Sequence, residues 1–316
     1  MKSVPDIKKI AIGGAGLMGA SMAQIFAKWG YHVTMYDVAA ESIEKGKALA
    51  DINQRALIEQ GEVSAEQSRG ILSRMAYTME MDAFKDADFV IEAIIENMDV
   101  KHDFWKKVSA VAPEDIVMAT NTSGLSITEI AKAVKKPERF CGMHWINPPH
   151  IVPLVEIIGG AKTEKQALDI TQALAVSVHK HPVTVQGDPS GFLFNRLQFA
   201  VLREALHIVE KGYASAQDVD DVMKFGLGMR YSCIGPFETA DLGGLDTFYR
   251  ISAYLFANLS DAKEVPELLA RLYKEGAFGT KTGRGFYDYS GGGAERAIAK
   301  RDKNFLKISK CLYENL

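Results

Sequence analysis

The feature that most limits how this chain can fold is the run Gly14-Ala15-Gly16-Leu17-Met18-Gly19, which fits G-x-G-x-x-G. It follows an apolar stretch at residues 7–12 that reads as a buried strand, and it opens an apolar helical stretch at 17–29. Asp37 falls 18 residues after Gly19, at the end of the next strand-like run, 32–36. Strand, glycine turn, helix, strand and acid in this order are the context that dinucleotide binding requires. Gly14 permits a tight turn, Gly16 lets the backbone approach a diphosphate, and Gly19 permits close helix–strand packing. The diphosphate would meet free N–H groups at the helix N-terminus, among them those of Leu17 and Met18, and Asp37 would accept from the adenosine ribose hydroxyls. The first base after Asp37 is Lys45, so a ribose 2′-phosphate would be repelled without compensation, and NAD is expected rather than NADP. The bland alternative is a glycine-rich turn that binds nothing.

Further apolar runs at 88–95, 116–120, 139–145 and 152–158 alternate with helical patterns, which predicts a parallel sheet covered on both faces. The character changes at Gly187-Asp188-Pro189-Ser190-Gly191, a run of turn chemistry. Beyond it the spacing predicts helices over 192–211, 215–226 (capped by Ser215), 236–259, 265–275 and 295–316, with a glycine-rich loop at 276–289. The expected fold is α/β: a Rossmann-type NAD-binding domain over 1–187, followed by an all-helical domain over 188–316.

Composition excludes several classes. With 40 acidic against 37 basic side chains the net charge is −3, which argues against a general nucleic-acid binder. The basic residues of the last helix read as a solvated face or a subunit contact. Three cysteines without ligand spacing make a disulfide framework or structural metal unexpected. No stretch has the apolar length of a spanning helix, so a cytoplasmic protein with no membrane partner is expected.

Two residues stand out as chemistry. His144 ends one strand-like run, and Glu156 lies among apolar neighbours in Leu154-Val155-Glu156-Ile157-Ile158. A carboxylate there is costly to bury unpaired; a neighbouring imidazole would offset the cost, and such a pair is a general acid–base unit. A salt-bridged Glu and an unrelated His remain equally open from the residues alone. His150 follows Pro148-Pro149 and could lie near the site; His32, His102, His179, His181 and His207 sit in ordinary contexts. Asn121 and Ser123 follow the strand 116–120, where ligands of parallel sheets bind, and Ser126 could cap the helix that follows.

Together the segments GAGLMGASMAQ, DADFVIEAIIENMDVK, NTSGLSI, GMHWINPPHIVPLVEII, DPSGFLFNRL, GPFETADLGGLD and FGTKTGRGFYDY resemble the L-3-hydroxyacyl-CoA dehydrogenase family over almost the whole chain. The resemblance implies a homodimer in which His144 is the acid–base residue and Glu156 orients it. Ser123 and Asn195 would contact the substrate oxygen, Asn147 would support the site, and Glu96 and Lys101 would lie toward the nicotinamide and its ribose. It implies oxidation of an L-3-hydroxyacyl-CoA such as 3-hydroxybutyryl-CoA. That is the leading expectation, favoured by GPFETADLGGLD and KTGRGFYDY, and local departures raise an alternative. Residues 53–68, where CoA-binding members carry lysines, offer Arg55 against Glu59, Glu62 and Glu66. The runs GLGMRY and HW-x-NPPH resemble relatives that oxidise small free hydroxy compounds, the gulonate and pyridine-carboxylate dehydrogenases. Arg230 could then pair with a substrate carboxylate, or form a surface ion pair. A catalytically silent NAD-binding protein is the remaining alternative.

Overall fold

The computed structural model describes residues 1–59 and 61–313. Residues Met1–Arg196 form one compact unit, and the chain from Leu197 onward forms a second. In the first unit eight strands make one sheet: β1 (Lys9–Gly13), β2 (His32–Tyr36), β3 (Met75–Thr78), β4 (Phe89–Glu92), β5 (Val117–Thr120), β6 (Phe140–Trp145), β7 (Leu154–Gly159) and β8 (His181–Val185). Their order is β3-β2-β1-β4-β5-β6-β7-β8.

The first six strands are parallel, as expected. The last two correct the all-parallel expectation. β7 runs antiparallel to β6, and β8 runs with β7. The connection at 146–153 is too short for a crossover helix, so the chain can only turn back on itself. Strand β3 has no counterpart in the sequence reading. Its four residues, Met75-Ala76-Tyr77-Thr78, carry an apolar run of only three and pair along the outer side of β2.

Alternate strand residues feed two cores. Ile10 and Ile12 of β1 face a cluster built with Met22 and Phe26 of α1 (Leu17–Lys28), Ile43 and Ala50 of α2 (Ala40–Glu59), Ile71 of α3 (Ala65–Ser73) and Leu174 of the later helix Lys165–Ser177. Ala11, between them, faces the opposite cluster, where Phe104, Trp105 and Val108 of α4 (Met98–Val111) meet Ile127 and Ile130 of α5 (Ile127–Ile130). Lys165–Ser177 is α6, and α7 (Phe194–Glu210) follows β8. Ser126 caps α5 as expected, its hydroxyl accepting from the Glu129 N–H. Asp188 reinforces that end by accepting from the Ser126 hydroxyl and the N–H groups of Ile127 and Thr128.

The second unit is helical: α8 (Ala216–Val222), α9 (Gly228–Tyr231), α10 (Pro236–Gly243), α11 (Leu245–Leu255), α12 (Glu267–Lys274) and α13 (Gly293–Tyr313). Ser215 caps α8 in a reciprocal capping box with Asp218. The helix expected over 215–226 passes into a π-helical turn, Met223–Leu227, before α9. The single helix expected over 236–259 is broken at Gly244, whose φ of +89° no helix accommodates. The expected last helix is seen to Tyr313; residues 314–316 lie outside the described residues. Among the described residues no helix is long and apolar enough to cross a membrane.

Candidate active site

The glycine turn is built as its spacing requires. Gly14 has φ +104°, and a Cβ on Gly19 would stand 1.9 Å from the Gly14 carbonyl oxygen. At Gly16 a Cβ would meet open space: the exposed backbone there is free to be approached. Gly16 is also the N-cap of α1 and supplies no side-chain acceptor, so the first-turn N–H groups remain available to an anion. Asp37 ends β2 and ties the turn down. It accepts from the Ala15 N–H at 2.9 Å and the Ala39 N–H at 3.1 Å. A cleft of about 360 Å³ opens beside these groups, lined by Gly14, Gly16, Asp37, Val38, Ile94 and Ile95. Its geometry and donors suit a dinucleotide. Lys45 is engaged by Glu41 at 2.7 Å.

His144 and Glu156 stand directly opposite each other across the antiparallel β6–β7 pair. His144 Nδ1 lies 2.8 Å from Glu156 Oε2, with both side chains buried. The other carboxylate oxygen accepts from the N–H groups of Leu193 and Phe194 at 2.8 Å each, where α7 begins. Burial pushes the Glu156 carboxyl up. The bonds from His144 and from those two backbone N–H groups outweigh it and hold the carboxyl below its ordinary value. With Nδ1 committed to the carboxylate, Nε2 is the nitrogen left for proton transfer. The aromatic ring of Phe192 packs 5.6 Å from the imidazole. Cys141, on the same strand, is no nucleophile: burial pushes its thiol up to about 12.

The polar residues beyond β5 form a second constellation. Asn195 donates to the Ser123 carbonyl at 2.7 Å. The Ser123 N–H donates to Glu96 at 2.8 Å, and Thr122 donates to the same oxygen at 2.5 Å. Asn121 is buried, and its side-chain oxygen accepts from the Trp145 N–H, which joins the end of β5 to β6 beside His144. Asn147 is exposed on the connection after β6. Lys101, expected toward the nicotinamide and its ribose, is held by two carboxylates. It is 1% exposed and paired with Glu92 at 2.5 Å, with Glu96 at 3.3 Å.

Glu92 itself was not singled out by the sequence reading. The signal was present: a carboxylate closing the apolar run Phe89-Val90-Ile91, the same pattern that marked Glu156. Arg230 belongs to the second unit, where its guanidinium is exposed and makes no ion pair among the described residues.

Two sequence profiles match the chain. The NAD-binding domain of 3-hydroxyacyl-CoA dehydrogenase matches residues 9–188, and the C-terminal domain of the same enzyme matches 191–289. The chain belongs to the 3-hydroxyacyl-CoA dehydrogenase family. It is therefore an NAD-dependent dehydrogenase acting on a hydroxyl group, with NAD as its cofactor. Among family members, a probable 3-hydroxybutyryl-CoA dehydrogenase of Bacillus subtilis is 40% identical over 90% of this chain and 98% of its own length. The 5-formyl-3-hydroxy-2-methylpyridine 4-carboxylate 5-dehydrogenase of Mesorhizobium japonicum is 34% identical over 97% of this chain and 98% of its own. A crystal structure of an enzyme of the latter name, described as an NAD+ dependent dismutase, superposes with a TM-score of 0.91. It is 33% identical and covers 98% of this chain and 100% of that one. The family profile match ends at residue 289, before α13.

Proposed function

We propose that this family member oxidises a small free hydroxy acid or alcohol, with His144 as the acid–base residue and Glu156 as the carboxylate that orients it. The observation that carries the substrate reading is the charge on the hairpin formed by α2 and α3, where the family resemblance puts the CoA nucleotide. Lys45 and Lys47 there are paired with Glu41 and Glu44, each at 2.7 Å. Over the rest of the hairpin, 53–73, Arg55 and Arg69 stand against Glu59, Glu62 and Glu66. A 3′-phosphorylated ADP would find little complementary charge on such a surface. The match to the pyridine-carboxylate enzyme along nearly the full length of both chains supports the same reading.

In the proposed reaction His144 takes the hydroxyl proton on Nε2 while Glu156 stabilises the imidazolium that forms. NAD, when bound, supplies the hydride acceptor. Ser123 and Asn195 position the substrate oxygen. Gly14, Gly16, Leu17, Met18, Gly19, Asp37, Glu96, Asn121 and Asn147 shape the cofactor side, with Lys101 acting behind Glu96. Arg230 is our candidate for the substrate carboxylate. The division of labour falls at residue 187, with cofactor binding before it, and substrate recognition and dimer formation after it; the protein works in the cytoplasm, without nucleic-acid or membrane partners.

A second reading, oxidation of a 3-hydroxyacyl-CoA, is favoured by the 40% identity to the Bacillus relative. The buried His144–Glu156 pair speaks against a catalytically silent protein. Steady-state kinetics with 3-hydroxybutyryl-CoA, free 3-hydroxybutyrate, gulonate and a pyridine carbinol carboxylate separate the readings. We expect turnover of a free compound and a kcat/KM for the thioester at least about a hundredfold lower, the scale of losing one or two charge-assisted contacts. A preference for the thioester would reverse the assignment.

A further inference from the structure

Strand β4 ends on Glu92, which is wholly enclosed. Four donors converge on its carboxylate: Lys101 Nζ at 2.5 Å, the Ile94 N–H at 2.9 Å, Thr120 Oγ1 at 2.7 Å and Trp105 Nε1 at 3.3 Å. They come from α4, from the loop after β4 and from the end of β5. A buried carboxylate is expensive unless satisfied, and here both oxygens are.

The arrangement does more than bury a charge. The Lys101 ammonium is shared between two carboxylates. It sits 2.5 Å from the enclosed Glu92 and 3.3 Å from Glu96, whose side chain is 43% exposed. Because the inner carboxylate holds the ammonium closely, the outer one is left to bond Thr122 and the Ser123 N–H. Without the inner charge, Lys101 would have Glu96 as its one remaining counter-ion. In a buried setting that attraction is strong, and it would draw Glu96 inward, off Thr122 and Ser123.

We infer that Glu92 is a positioning residue: by anchoring Lys101 it sets where Glu96 and Ser123 stand toward the cofactor. The inference rests on the proposed cofactor-facing roles of Glu96 and Ser123, and it is independent of which substrate the enzyme takes.

Fluorescence titration with NADH tests it on the wild type, Glu92→Gln, Glu96→Gln and the double variant. Each single change is expected to weaken NADH binding about tenfold, and the double variant about tenfold as well, since both act through one route and their effects do not add. A purely structural Glu92 would instead give independent losses that multiply to about a hundredfold. That result, or a Glu92→Gln affinity within about twofold of wild type, overturns the inference. If Glu96→Gln binds NADH like wild type, the proposed role of Glu96 falls, and the inference with it. If only Glu92→Gln does so, the inference falls alone. Should Glu92→Gln not fold, Trp105→Phe removes one donor to Glu92, breaks no hydrogen bond to Thr122, Ser123 or Glu96, and leaves every charge in place. Weakening of about threefold or more, masked when combined with Glu96→Gln, is then expected, and unchanged affinity overturns the inference.

Discussion

His144 and Glu156 show how much one cross-strand pair can decide. The carboxylate is used twice, with one oxygen on the imidazole and the other on the first N–H groups of α7, where the helix dipole also favours a negative charge. Replacing His144 by Ala is expected to lower kcat by about a hundredfold to ten-thousandfold, the usual worth of a general acid–base residue. NADH affinity measured by titration should stay within about twofold, since His144 is placed on the substrate side. Equal losses in both would show a role in cofactor binding instead. Glu156 also carries a pH signature. Its folded pKa is lowered, so it contributes stability that is fully present above the unfolded carboxyl value of about 4.3 and is lost as pH falls through the lower folded value. Urea unfolding between pH 6 and 3 should therefore show wild type losing more stability than Glu156→Gln. Parallel curves would refute the assignment of that shift to this residue.

Among the elements, the antiparallel β6–β7 pair does the assembling. Residues 12 apart in sequence become partners because the chain turns back through the double proline. Lys180, from the turn before β8, fastens that connection. Its ammonium donates to the Pro149 carbonyl at 2.6 Å and the Val152 carbonyl at 2.9 Å, and lies 5.5 Å over the Trp145 ring. Burial, with Lys28 nearby, pushes its pKa down to about 8. A lysine whose folded pKa lies below its unfolded value binds fewer protons when folded, so stability rises with pH between about 8 and 10.4. Wild type should gain on Lys180→Met in chemical denaturation as pH goes from 7.5 to 9.5, and at pH 7.5 the variant should lose the two carbonyl bonds at about 1 kcal/mol each. A stability difference that does not change with pH would show that the ammonium is not desolvated there.

At the scale of the whole molecule, the second unit leaves several large apolar side chains exposed. Phe225, Met229, Phe237, Leu242, Tyr249 and Phe256 are each at least 70% exposed. Large apolar side chains left in water in such number are candidates for an interaction surface. With the family resemblance, it supports the proposed homodimer. Light scattering should give twice the 34.7 kDa chain mass, and Phe237→Glu should shift the species toward the chain mass. A monodisperse single chain in the wild type would discard the dimer.

The sequence by itself determined the cofactor half. Gly14, Gly16, Gly19 and Asp37 act within one strand–helix–strand unit, so their spacing along the chain already states their geometry. The same locality made the Ser126 and Ser215 caps legible. The tertiary structure alone decided what depends on pairing between distant segments. The reading in which Glu156 was salt-bridged to something else was equally open until β7 was seen to run against β6. The short connection at 146–153 already implied that direction, but the apolar pattern of a strand does not, because it looks the same whichever way the strand runs. Strand β3 is hard to see in the sequence because its apolar run, Met75-Ala76-Tyr77, is too short to stand out. Glu92 and Lys101 were decided last. Their ion pair forms between a strand end and a helix face, and the low dielectric that makes an enclosed ion pair so consequential exists only after the chain has folded around it.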